Sequence, residues 1–170
     1  MAGIVGLTEL QHQNGTSAMT VGTSGVMTTG VKHAFYMYRS TFQSITHASG
    51  YNQIQFDATR VNEGNGVTLG ASARYTVPAN AGGIFVLHAF GRLESGTDGN
   101  TSLQMRLNGT AIGTEYTRSH YYDGMNVSLI RNLSAGDYIE MGISNSIGVT
   151  VNVGGADAGD STYCWGYRLG

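Results

Sequence analysis

Histidines and carboxylates are the side chains through which this sequence would catalyse a reaction or hold a metal, and their placement argues against both. The five histidines, His12, His33, His47, His88 and His120, are scattered singly. No nucleophile, base and orienting group fall at a spacing that acyl transfer or hydrolysis would use. The chain is therefore expected not to be an enzyme. His88 sits within the apolar run Phe85 to Phe90 and reads as a hydrogen-bonded core or subunit-interface residue. Asp157 and Asp160 stand in a Gly-rich loop with Asn152 nearby, and hard oxygen ligands of this kind suit calcium. A third carboxylate is missing and no full calcium motif is matched, so a solvated turn is the plainer reading. No cofactor is expected, and calcium is the one worth testing. Cys164 is the only cysteine, which excludes an intrachain disulfide and a multi-cysteine zinc site. Between Tyr163 and Trp165 it reads as a buried structural thiol. Tyr121, Tyr122 and Asp123, just before Gly124, form a loop tip suited to gripping a glycan or a protein, and equally suited to packing between subunits.

The elements that carry these residues read as strands. No window keeps an i, i+3, i+4, i+7 apolar stripe beyond the next glycine, whereas short runs rich in Val, Ile, Tyr, Phe and Thr recur between turn residues. Ten strands are predicted: Val31–Tyr38, Gln53–Val61, Ser72–Val77, Ile84–Leu93, Thr101–Leu107, Thr110–Thr117, Asn126–Arg131, Asp137–Ser144, Gly148–Val153 and Thr162–Leu169. Turn signals every 8 to 12 residues or so mark a sandwich or barrel. Asn108-Gly109, Asp98-Gly99 and Asp123-Gly124 supply the positive φ that tight hairpins demand. Ile54 and Phe56 alternate with Gln53, Gln55 and Asp57, and Val149, Val151 and Val153 alternate with Thr150 and Asn152, so one face of each strand is buried. Residues 1–30 hold only short β pairs, Ala18–Val21 and Val26–Thr28. They form an N-terminal arm or collar ahead of a single domain over residues 31–170.

Composition sets the context of that domain. Glycine occurs 26 times, proline once, and charged residues make up 12% of the chain, against roughly 25% in an ordinary soluble protein. A surface so poor in charge is expected to be partly covered by neighbours in an oligomer or larger assembly. The formal net charge of −2 leaves no electrostatic footprint for nucleic acid. Met1 to Leu10 has no basic region followed by a long apolar run, so neither a secretory signal nor a membrane segment is expected, and a soluble product made in a cytoplasm is the expectation.

A resemblance narrows the fold. Phe56, then Val61-Asn62-Glu63-Gly64-Asn65, Tyr75-Thr76-Val77-Pro78 and Gly83-Ile84-Phe85-Val86-Leu87 follow one another in order. Leu107-Asn108-Gly109, Leu133 to Ile139 and the closing Tyr163 to Leu169 continue the series. Over residues 31–170 this resembles the globular-head family of the complement recognition component (first component, subunit q), which shares its jelly roll with tumour necrosis factor. The resemblance implies an all-β, ten-stranded jelly-roll β-sandwich that forms a homotrimer. Phe35, Tyr36, Tyr38 and His88 are the candidate trimer-interface residues. Phe35 and Tyr36 point to opposite faces of their strand, so one of them is expected in the core and the other against a neighbour. His33 and His47 are candidates to line the threefold axis, where symmetry-related imidazoles can share a metal.

The opening Leu7 to Val21, followed by Thr23 to Thr29, is similar to the opening of structural proteins of tailed phages. Together the two resemblances imply a virion protein: a trimeric capsid decoration or cement protein on the outer head, contacting the major capsid protein or other virion proteins. The alternative is a tail-fibre or spike tip that recognises host surface glycans. With only 30 residues ahead of the domain, reaching about 100 Å when extended, a stand-alone fibre is not expected.

Overall fold

The computed structural model describes residues 9–11, 17–21, 27–29, 33–46, 48–94, 99–119, 124–146, 148–154 and 161–169. The chain divides into two compact units, Met1–Lys32 and His33–Gly170. The first holds one antiparallel sheet, β1 (Glu9–Gln11), β2 (Ser17–Val21) and β3 (Met27–Thr29), in that order. Among its described residues the second contains thirteen strands and no helix.

Five of those strands form one sheet: β4 (Ala34–Tyr38), β7 (Ala58–Glu63), β10 (Gly83–Arg92), β13 (Gly124–Leu133) and β16 (Thr162–Arg168), in the order β13-β10-β16-β4-β7. The opposing sheet comprises β8 (Val67–Thr68), β9 (Arg74–Thr76), β11 (Gly99–Leu107), β12 (Thr110–Ser119) and β14 (Tyr138–Asn145), in the order β12-β11-β14-β9-β8, with β6 (Ala48–Gln53) also paired to β14. Two short strands, β5 (Gln43–Ile45) and β15 (Val151–Val153), pair at the side. The result is an all-β jelly-roll sandwich.

The core follows from period-2 alternation on both sheets. Phe85, Leu87 and Ala89 of β10 and Phe35 and Met37 of β4 point inward from the first sheet, against Leu103, Met105, Ile139, Met141 and Ile143 from the second. Gly91 leaves room for the tips of Met141, Leu103 and Ile143, which lie 3.3 to 3.5 Å from where its Cβ would stand. Burying each large apolar side chain contributes roughly 1.5–3 kcal/mol. Asn108 (φ 50°) and Gly109 (φ 80°) turn β11 into β12, the positive φ pair that this dipeptide promised. The other two predicted tight turns include Asp98 and Asp123, outside the described residues.

All ten predicted strands fall on observed ones, and three short strands of this unit, β5, β6 and β8, were not anticipated. The predicted Gln53–Val61 strand divides. Gln53 ends β6 in one sheet and Ala58 begins β7 in the other, while Ile54 and Phe56 remain buried between exposed or half-buried neighbours. Alternation persists through this crossing because the segment stays extended between the layers, so the pattern could not mark the change of sheet. Beside it, the Gln43 amide acts as a rung: its Nε2 donates to Gln53 O (2.9 Å) and its Oε1 accepts from Gln55 N (2.8 Å).

Candidate functional site: an aromatic sheet face

The outward face of the five-stranded sheet is built by the same alternation that fills the core. Inward Phe35 and Met37 force Tyr36 and Tyr38 outward, and inward Cys164 and Gly166 do the same for Tyr163, Trp165 and Tyr167. Registers align these side chains in rows. Trp165 pairs with Tyr36 on one side and His88 on the other, and His88 pairs with Ser128. The adjacent row runs Tyr38, Tyr163, Phe90 and Asn126. Rings therefore meet across strands, where Tyr36 and Phe90 each stack on Tyr163 at 5.4 Å between centroids, and along β16, where Trp165 stacks on Tyr167 at 6.1 Å. Offset pairs at such separations add about 0.5–1.5 kcal/mol beyond area burial.

His88 sits inside this surface. Its ring lies 5.2 Å from Trp165 and 5.7 Å from Tyr163, and its Nδ1 is 2.7 Å from Ser128 Oγ. Burial holds its pKa below the usual imidazole value, so it is neutral near pH 7. At the β7 edge the Arg60 guanidinium lies over Tyr38 (5.3 Å) and Tyr36 (6.0 Å). Large apolar side chains on the same face stay open to solvent: Ile84 at 49%, Ile130 at 60% and Tyr167 at 44%. Exposed apolar side chains grouped on one face are a feature that interaction surfaces share.

Three of the four expected interface residues, Tyr36, Tyr38 and His88, come together on this face. Phe35 does not. It is 2% exposed and stacks on Tyr75 at 4.1 Å in the core, so it is the member of the Phe35/Tyr36 pair that alternation sends inward. Trp165, Tyr163, Tyr167 and Phe90 extend the face and were not assigned to it from sequence. The signal was present in Tyr163-Cys164-Trp165-Gly166-Tyr167, whose three aromatics recur every second residue between small ones. His33 lies elsewhere, against Gly64, with its pKa lowered by burial and by Arg168.

The loop tip Tyr121, Tyr122 and Asp123 lies outside the described residues, as do His12, His47, His120, Asp157 and Asp160. Asn152, their expected neighbour, accepts a 2.8 Å hydrogen bond from Ser44 Oγ. Among the described residues no group of three or more His, Cys, Asp or Glu side chains is placed to hold a metal ion. Cys164 is fully buried, and burial pushes its thiol up to about 12, which leaves it unreactive.

No family model matches the chain, and no curated protein matches it. Solved structures do. The globular domain of zebrafish complement 1qA protein is 12% identical, with 82% of this chain and 98% of that one covered at a TM-score of 0.56. Eiger TNF from S. frugiperda is 9% identical, with 83% and 94% covered at 0.62. PRD1 vertex protein P5 is 16% identical, with 83% and 99% covered at 0.57. At these identities the likeness is one of fold, and the chain folds as the jelly roll that complement and tumour-necrosis-factor domains share with a phage vertex protein.

Proposed function

We propose that this chain is a non-enzymatic virion structural protein: a homotrimer that decorates or cements the outer surface of a phage head, assembled through the aromatic face of its five-stranded sheet. The observation that carries the reading is that face, where Trp165 lies in register with Tyr36 and Tyr163 with Tyr38, on the same face as the exposed Ile84 and Ile130. Obligate interfaces are apolar in this way, and a closed ring of heterologous contacts covers each copy's face. The low charge content of 12% and the likeness in fold to a vertex protein support placement among other virion proteins. The major capsid protein is the proposed partner, with residues 1–30 as the attaching arm. Neither a cofactor nor a catalytic step is part of this role.

Light scattering of the purified chain should give the mass of three copies, and Trp165→Arg should give folded monomers. A wild-type monomer at micromolar concentration would end the reading. Deleting residues 2–28 should leave the trimer intact, because every core residue described lies between Phe35 and Cys164, and should abolish binding to heads. A second reading, a receptor-binding tip, is favoured by Tyr116, which stands 77% exposed on β12 a few residues before the Tyr121-Tyr122-Asp123 tip. Imaging that placed the protein only at the tail would select it.

A further inference from the structure

His88 occupies the middle of the sheet, on β10 between β13 and β16, so a neighbour seated on the aromatic face would cover it. What surrounds it decides how it tolerates a charge. From β16 it faces Tyr163, Trp165 and Tyr167, and from β4 Ala34, Tyr36 and Tyr38. From β13 it faces Asn126, Ser128 and Ile130, and along β10 itself Val86 and Phe90. None of these carries a charge at neutral pH. The charged groups on this face lie at its margins, and Glu115 of β12 reaches the outer edge of β13, where its carboxylate accepts from Asn126 N. Arg60 is a cation over Tyr36 and Tyr38. Arg92 is paired with Glu94, its Nε 2.6 Å from Oε1. Glu63, in register with Ala34, is three strands away, on the order of 14 Å.

Resting on the trimer reading above, we propose that His88 makes this assembly acid-sensitive: protonating its imidazole drives the trimer apart while each jelly roll stays folded. The Ser128 hydrogen bond survives protonation, because a hydroxyl oxygen accepts from Nδ1–H. The cost is therefore the charge itself. An imidazolium in the single chain is still partly hydrated, whereas in the trimer it is covered among neutral rings, and among the described residues its hydrogen-bond partner is the Ser128 hydroxyl and not a carboxylate. Its pKa already lies below the ordinary value through burial, and further covering lowers it again. A group whose pKa falls on assembly favours assembly above that pKa and opposes it as pH drops. Three copies take up as many as three protons on dissociation, so the association constant falls by up to about 1000-fold per pH unit below the free-chain value.

Sedimentation at micromolar concentration from pH 8 to pH 5 tests this, with circular dichroism reporting the fold. The wild type should pass from three copies to one across this range without losing its β signal. His88→Phe and His88→Gln, neutral at every pH, should remain trimeric at pH 5. A wild-type trimer that persists at pH 5 overturns the inference and leaves the trimer reading standing, whereas a monomer at pH 8 removes both. Dissociation of both variants at the same pH as the wild type would assign the effect to other groups, such as His33, and would also overturn it.

Discussion

Tyr75 offers a substitution that should stabilise the protein by removing atoms. Its ring is fully buried, stacks on Phe35 at 4.1 Å and lies 6.1 Å from Phe85, so the aromatic body is anchored without the hydroxyl. The hydroxyl oxygen is buried and has no hydrogen-bond partner among the described residues. A buried polar group left unpaired costs about 1–3 kcal/mol, and the void left by one oxygen costs a fraction of a kcal/mol. Tyr75→Phe should therefore gain about 1 kcal/mol, or about 3 °C in Tm for a domain of this size, measured at one fixed protein concentration because the proposed assembly would contribute to Tm. The alkaline limb supplies a second readout. Burial pushes this phenol up to about 12, above the ordinary value of about 10. Its neutral form is thus favoured in the fold, and that stability is present below pH 10 and lost as pH rises through the folded value. Between pH 10 and 12 the wild type should lose stability faster than Tyr75→Phe. A variant that melts lower than the wild type, with an unchanged alkaline limb, would refute the reasoning by showing that the hydroxyl is held.

Gly142→Ala should cost about 3 kcal/mol in urea unfolding. The new methyl would run into the Tyr51 ring and stand 2.6 Å from Asn52 O, a backbone atom of the strand paired beside it. At the turn into β14, Asp137 accepts from Asn108 Nδ2 (2.7 Å) and Ser134 N (2.8 Å), and these bonds, that of Asn108 first, hold its carboxyl below the usual carboxylate range. Asp137→Ala should lose about 1 kcal/mol at neutral pH; the wild-type advantage should fade as acid protonates the carboxylate, and an advantage that persists in strong acid would contradict this account. Addition of a chelator should leave the melting curve unmoved, and a drop in Tm would assign calcium to the loop around Asp157 and Asp160.

How much of this was legible in the sequence depends on the range of the interaction involved. Hairpins are local, so Asn108-Gly109 announced its turn directly. Strands with one buried face are nearly local, and Phe85, Leu87 and Ala89 alternating with Val86, His88 and Phe90 gave β10 to within a residue at each end. The shortest strands were not legible. β5 is Gln-Ser-Ile and β6 is Ala-Ser-Gly-Tyr-Asn-Gln, and neither has two apolar residues at a spacing of two. Their pairing is fixed by partners about 100 and 90 residues away, as in Ile45 with Val151 and Asn52 with Ile143.

The aromatic face was the least legible feature, for a physical reason. Alternation along one strand separates two faces but does not say which residues of other strands share them. Tyr36, Trp165 and His88 form one row only because β16 inserts between β4 and β10, placing residues separated by 129, 52 and 77 positions side by side. Each of them read alone was an ordinary half-buried aromatic or a solitary histidine. Register turns them into a surface, and that surface has two consequences that no single strand carries. In the proposed trimer its apolar breadth is what a partner covers, and because no carboxylate among the described residues is hydrogen-bonded to His88, that proposed partnership depends on a neutral imidazole. If assembly used the opposite sheet instead, Trp165→Arg would leave the trimer intact while substitutions around Tyr116 on β12 would break it. The pair of variants therefore decides which face of the sandwich joins the copies.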